Sequence, residues 1–177
     1  MSTLKINIPT LLTLSRIILI PVFIFSVRLH PIFGALIFGI ASLTDFLDGY
    51  LARRSGEITK FGIILDPIAD KFLVISALIV LVDMERLAAW IAIVIIVREF
   101  LITALRVVAL SKDIVIPAEI GGKIKTGVQI AAILCLVLNR ALFDINLYDI
   151  GIILIWAAMI LSIISGVKYT ISFGKNL

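Results

Sequence analysis

The sequence predicts an all-α, polytopic membrane protein with six transmembrane helices, and three observations carry that expectation. Hydrophobic residues make up 62% of the chain and its mean hydropathy is +1.21, whereas soluble domains are nearer half apolar or less. The apolar residues gather into runs of roughly 20, the length a helix needs to cross a hydrocarbon core of about 30 Å. Short charged segments separate the runs. A length of 177 residues suits a single membrane domain over residues 1–177.

The elements follow in order. Residues 1–8 are short and mixed, with Lys5 and Asn7 among Leu4, Ile6 and Ile8, and read as a short interfacial segment. Pro9 suits the first turn of a helix. The first span is Leu11–Val27, with Arg16 one to two turns in, Pro21 near the middle, and Arg28, His30 and Pro31 closing it. It is too long for a signal-peptide core and no small-residue cleavage site follows, so it is expected to stay as a membrane helix. The second span, Ile32–Leu51, carries Gly34 and Gly39, which permit close helix packing, and ends on Asp45 and Asp48. Arg53, Arg54, Ser55, Gly56, Glu57 and Lys60 read as a polar loop. The third span, Ile63–Val82, begins with Asp66, Pro67, Asp70 and Lys71, Pro67 fitting a first turn or a kink. Asp83, Glu85 and Arg86 turn the chain into the fourth span, Leu87–Leu110, which holds Arg98, Glu99 and Arg106. Lys112, Asp113 and Pro117 precede the fifth span, Ile120–Leu138, with Gly121, Gly122, Lys123, Lys125 and Gly127 near its start. Asn139, Arg140 and Asp144 lead to the sixth, Ile150–Ile171, and Lys168 and Lys175 close the chain.

Charge gives the orientation. The net charge is +4. Lys5, Arg53, Arg54, Lys60, Lys112, Lys123, Lys125, Lys168 and Lys175 collect on one side of the six-span arrangement, against Arg28, Arg86 and Arg140 on the other. The richer side is expected to face the cytoplasm of a cell (inner) membrane, with both termini inside. A basic balance here suits anionic headgroups or substrates. No soluble basic module is present to carry nucleic acid. Cys135 is the single cysteine, which rules out an intrachain disulfide and a thiolate metal site.

The chemistry sits between Asp45 and Asp70. Asp45, Asp48, Gly49 and Ala52 share one face of a helix, and Gly62, Asp66 and Asp70, four apart, share another. Antiparallel pairing of the two helices would bring four carboxylates around one small volume. An ionisable group at membrane depth costs about 2.5–3.5 kcal/mol on insertion scales, so four of one sign need compensation. All-oxygen ligation suits Mg2+, Mn2+ or Ca2+. Two such ions would suit displacement at phosphorus by stabilising the attacking and leaving oxygens. Gly49, Ala52 and Gly62 leave room for a ligand near the backbone, and Arg53 can grip a phosphate with its planar fork. The alternative is a solvated, salt-bridged helix end in which the aspartates pair with Arg53, Arg54, Lys60 and Lys71. A cation channel or transporter is a further class. It would need carboxylates reaching both sides, and none continues the path along the second and third spans to Asp83.

Asp45-x2-Asp48-Gly49-x2-Ala52-Arg53-x8-Gly62-x3-Asp66-x3-Asp70 resembles the signature of the CDP-alcohol phosphotransferases, with every fixed position filled. That resemblance implies a membrane enzyme of six helices, usually a homodimer, that passes a phosphate-linked group from a CDP-activated donor to an alcohol and releases CMP. It implies two divalent cations, Mg2+ or Mn2+, on Asp45, Asp48, Asp66 and Asp70. Asp70 would also take the proton of the acceptor hydroxyl. Asp48, Gly49, Ala52, Arg53 and Gly62 would hold the CDP-lipid, commonly CDP-diacylglycerol, with Asn7 and Thr10 reaching it. A metal-bound carboxylate is a poor base alone, but the metal also acidifies a bound hydroxyl.

The acceptor is read from the remaining cations. Asn7-Ile8-Pro9-Thr10-Leu-Leu-Thr13-Leu-Ser-Arg16, Val97-Arg98-Glu99-Phe-Leu-Ile-Thr103-Ala-Leu-Arg106 and Gly122-Lys123-Ile-Lys125-Thr126 resemble the phosphatidylglycerophosphate synthase branch, which uses glycerol 3-phosphate. A dianionic acceptor accounts for Arg98, Arg106, Lys123, Lys125 and Arg16 beside an acidic metal site, with Glu99 expected to orient Arg106. For Arg98, Arg106, Lys123 and Lys125 the competing reading is positive-inside anchoring, and for Arg16 snorkelling to the interface. Inositol phosphate and phosphatidylglycerol are the competing acceptors.

Overall fold

The computed structural model describes residues 8–55, 60–111, 120–142 and 145–175. Side chains are described within these ranges except at 8–14, 16, 45–55, 60–70, 110–111, 120–123, 141–142, 145 and 175. The described residues form six helices in chain order: α1 (Ile8–Leu29), α2 (Pro31–Ser55), α3 (Lys60–Asp83), α4 (Ala89–Ser111), α5 (Ile120–Leu138) and α6 (Leu147–Lys175). The all-α expectation holds, with one addition. A two-residue antiparallel ladder, β1 (Ala141–Leu142) on β2 (Ile145–Asn146), joins α5 to α6.

The helices outrun the apolar runs at several ends because hydropathy marks only the lipid-compatible part. Polar residues continue a helix wherever its end groups are satisfied. Arg53, Arg54 and Ser55 thus belong to α2 and Lys60 opens α3, so most of the expected polar loop is helical. Pro67 lies inside α3 rather than in its first turn. Lacking an N–H, it removes one rung from the helix there. Residues 1–7, where an interfacial segment is expected, lie outside the described residues.

Two compact units make up the chain. The first, Met1–Ala77, holds α1, α2 and most of α3. Its α1–α2 hairpin turns at His30, with Pro31 as the first residue of α2, a position where the missing N–H costs nothing. Gly34 is required there. A Cβ would lie 2.6 Å from both Cα and Cβ of Val27, so the helices meet backbone to backbone. Phe23 and Phe38 are fully buried beside that contact, with ring centroids 5.6 Å apart.

The second unit, Leu78–Leu177, holds the end of α3, then α4, α5, the ladder and α6. The C-terminus of α3 is closed by hydrogen bonds from Glu85 N to Val82 O (3.0 Å) and from Arg86 N to Leu81 O (2.9 Å), with Glu85 at φ 58°. That is the Schellman arrangement, here with a non-glycine residue in the left-handed position. Arg86 then donates from Nη1 to Leu136 O (3.2 Å) and Val137 O (2.6 Å), the last carbonyls of α5. A cation at a helix C-terminus meets both the dipole and the open carbonyls. Partial burial lowers the Arg86 pKa below its ordinary value. Asn146 caps α6, its Oδ1 accepting from Tyr148 N at 3.0 Å. Gly151 lets α6 approach α5, where a Cβ would come 2.8 Å from the Leu136 side chain. Trp90 and Trp156 meet edge to face at 5.2 Å between α4 and α6.

Large apolar side chains lie on the surface as well as in the core. Phe25, Leu29, Phe33, Ile40, Ile153 and Val167 are exposed, while Glu99, Lys125, Gln129 and Ser162 are buried. Exposed apolar surface with buried polar groups is the informative combination. One described helix, α6, has a stretch, Leu147–Gly174, long and apolar enough to cross a membrane by length and composition.

Candidate active site

The acidic stretch occupies the end of α2 and the beginning of α3. Asp45, Asp48, Gly49, Ala52 and Arg53 lie on α2, and Gly62, Asp66 and Asp70 on α3. Both segments are helical over the whole pattern, so the spacings of three and four residues are spacings between successive helical turns. The side chains of these residues, and those of Thr10, Arg16 and Lys123, lie outside those described, and so does all of Asn7. The donor set fits a hard divalent cation. It offers four carboxylates, and the chain's single histidine and single cysteine, His30 and Cys135, stand outside it. Among the described residues no group of three or more potential ligands is assembled.

The cations of the second unit are organised around one carboxylate. Glu99 on α4 is 5% exposed, and its Oε1 accepts from Arg98 Nη1 at 3.0 Å and from Lys125 Nζ of α5. Arg98 is tied on its other side to α6. Its Nε donates to Ser162 O at 2.7 Å and its Nη2 to Ser165 Oγ at 2.5 Å. Ser165 Oγ donates in turn to Ser162 O at 3.1 Å. Gly166 makes room for this guanidinium: a Cβ there would sit 3.2 Å from Arg98 Nε. One chain of polar contacts therefore runs α6–Arg98–Glu99–Lys125 through three helices. Lys125 is 3% exposed, and a charge so buried needs a counter-charge.

Of the residues expected at an acceptor phosphate, Arg98 and Lys125 are thus brought together, through Glu99. Arg106 is exposed on the same helix. The expected pairing of Glu99 with Arg106 gives way to pairing with Arg98 and Lys125. Seven residues at 1.5 Å rise place Glu99 and Arg106 about 10 Å apart along the axis, beyond direct contact.

Sequence reasoning passed over Ser162, Ser165 and Gly166, whose i, i+3, i+4 spacing puts them on one face of α6. That spacing of small residues in an apolar helix was the available signal. It also passed over Gln129, buried one turn after Lys125. Gln129 Nε2 and Ser162 Oγ are buried without a hydrogen-bond partner among the described residues.

Comparison with known proteins gives the family to which the sequence is similar. The family model described as CDP-alcohol phosphatidyltransferase matches residues 6–164, across both units. A Bacillus subtilis (strain 168) protein named CDP-diacylglycerol–glycerol-3-phosphate 3-phosphatidyltransferase is 40% identical over 186 residues, covering 96% of this chain and 95% of its own. Proteins of the same name from Haemophilus influenzae and Rickettsia bellii are 41% and 39% identical. They cover 94% and 92% of this chain, and 92% and 93% of their own lengths.

Proposed function

The chain belongs to the CDP-alcohol phosphatidyltransferase family, and from that premise we propose that it transfers the phosphatidyl group of CDP-diacylglycerol to glycerol 3-phosphate, giving phosphatidylglycerophosphate and CMP. Members of the family are membrane enzymes that generally depend on a divalent metal. The observation that carries the reading is the unbroken acidic pattern from Asp45 to Asp70 in a chain that matches relatives of that activity over more than nine-tenths of its length. The whole of 1–177 acts as one catalytic domain in this reading.

The reaction is a direct displacement. Asp70 takes the proton from the primary hydroxyl of glycerol 3-phosphate. The oxygen attacks the phosphatidyl phosphorus, a new P–O bond forms, and the P–O bond to CMP breaks. No Ser, Cys or His stands in the pattern to act as a covalent nucleophile. Asp45, Asp48, Asp66 and Asp70 would hold two divalent cations, Mg2+ or Mn2+. When bound, these neutralise the diphosphate and lower the energy of CMP as leaving group. Arg53 grips the donor phosphates, Gly49, Ala52 and Gly62 give the nucleotide clearance, and Asp48, Asn7 and Thr10 reach the donor. Arg98, Arg106, Lys123, Lys125 and Arg16 form the cationic set of the acceptor-phosphate site, some by contact and some by holding the others in place. Because that phosphate is dianionic at neutral pH, it distinguishes the acceptor from a neutral alcohol.

All six helices cross the membrane in this reading. At 1.5 Å per residue, even the 19 residues of α5 extend about 28 Å, close to the hydrocarbon thickness. The cation bias places both termini and the acidic stretch on the cytoplasmic side of a cell membrane. The enzyme works as a homodimer among membrane lipids. The purified chain, given CDP-diacylglycerol, labelled glycerol 3-phosphate and Mg2+, should release CMP and label a lipid. No CMP release under these conditions would remove the proposal.

A further inference from the structure

The cationic set is not a collection of equivalent ligands. Arg98 uses Nε, Nη1 and Nη2 on protein acceptors: Ser162 O, Glu99 Oε1 and Ser165 Oγ. Its geometry is fixed from α6, because Gly166 leaves only the space that the guanidinium fills. Glu99 is fixed in turn by Arg98 and presents the same Oε1 to Lys125. A lysine carries a compact charge on a long flexible stem and loses rotamer freedom wherever it is held. Held in advance by a buried carboxylate, Lys125 does not meet that loss when a ligand arrives. The same carboxylate offsets the repulsion between the buried Lys125 ammonium and the partly buried Arg98 guanidinium.

We propose that Glu99 is a positioning residue for the acceptor: braced by Arg98 against α6, it sets where the Lys125 ammonium stands to receive an anionic phosphate. In this assignment Lys125 touches the phosphate, and Arg98 and Glu99 act through it. The proposal rests on the reading above that the acceptor is phosphorylated.

The test uses the full chain in lipid–detergent micelles and measures CMP release while CDP-diacylglycerol and glycerol 3-phosphate are varied separately. The wild type is measured first, and its failure to use glycerol 3-phosphate would remove the functional reading itself. Glu99→Gln keeps shape and acceptor atom but removes the charge. It should raise the KM for glycerol 3-phosphate at least about tenfold while leaving that for CDP-diacylglycerol within about twofold. Glu99→Asp should recover much of the loss. Equal increases in both KM values, or loss of kcat with neither KM moved, would overturn the positioning role and leave the functional reading standing. Should Glu99→Gln fail to insert, Ser165→Ala removes one brace of Arg98 without touching a charge. It should raise the acceptor KM about threefold with the donor KM unmoved, and no change or a parallel change in both contradicts the proposal.

Discussion

The acidic stretch of α2 and α3 and the cationic cluster of α4, α5 and α6 solve opposite electrostatic problems. The first gathers four carboxylates of one sign within 26 residues, Asp45 to Asp70. In the proposed reading that charge is met by divalent cations supplied from outside the chain. The second mixes signs and closes on itself: a carboxylate takes a guanidinium and an ammonium, and the guanidinium also takes a carbonyl and a hydroxyl. The lesson concerns where preorganisation comes from. On the proposed assignment, a metal site is completed by its ligand, whereas a phosphate site among packed helices is completed by the protein before its ligand comes, or its charges would not stay buried.

The comparison can be broken most forcefully at the acidic end. Asp70→Asn should lower kcat about a thousandfold or more, the scale of losing a general base and a metal ligand together, while the protein still folds and inserts. Retained turnover would remove Asp70 as the base. Chelation with EDTA should silence the enzyme and added Mg2+ or Mn2+ should restore it, with full activity in EDTA contradicting the metal assignment. At the cationic end the effect should be smaller and selective. Arg106→Ala should raise the apparent KM for glycerol 3-phosphate about tenfold and spare that for CDP-diacylglycerol. Equal effects would place Arg106 outside the acceptor site.

The smallest catalytic effect is expected at Arg86, which serves as a control for the cluster. Like Arg98 it is a partly buried arginine donating to carbonyls, but its partners are the open end of α5 and no second cation is involved. Arg86→Met should cost about 1.5–3 kcal/mol of stability, seen as a lowered melting temperature, with both KM values unchanged. A selective rise in the acceptor KM in this variant would erase the distinction between a capping arginine and one that serves the site.

How much of this was legible in the sequence follows from the same contrast. The acidic pattern was readable because its residues recur at helical spacing within one stretch, and helical geometry then does the work. The six helices were readable from their apolar runs, although Arg53–Ser55 fell inside α2 because polar residues extend a helix past its apolar run, and the earlier start of α3 at Lys60 puts Pro67 beyond its first turn. The partners of Glu99 were not readable. Lys125 lies 26 residues away on another helix, and only packing brings it there. Arg106 was the plausible partner on face periodicity alone, which ignores distance along the axis. Ser162, Ser165 and Gly166 looked like ordinary small residues of an apolar helix until Arg98 was found against them.

The central claim is that glycerol 3-phosphate is the acceptor joined to a CDP-lipid, and acceptor choice tests it most directly. Labelled CDP-diacylglycerol is offered to the purified chain with glycerol 3-phosphate, inositol phosphate, phosphatidylglycerol or serine in parallel, reading CMP release and the lipid formed. The account predicts rapid CMP release and a phosphatidylglycerophosphate product with glycerol 3-phosphate, and little turnover with the others. Preferential turnover with serine or phosphatidylglycerol would contradict it.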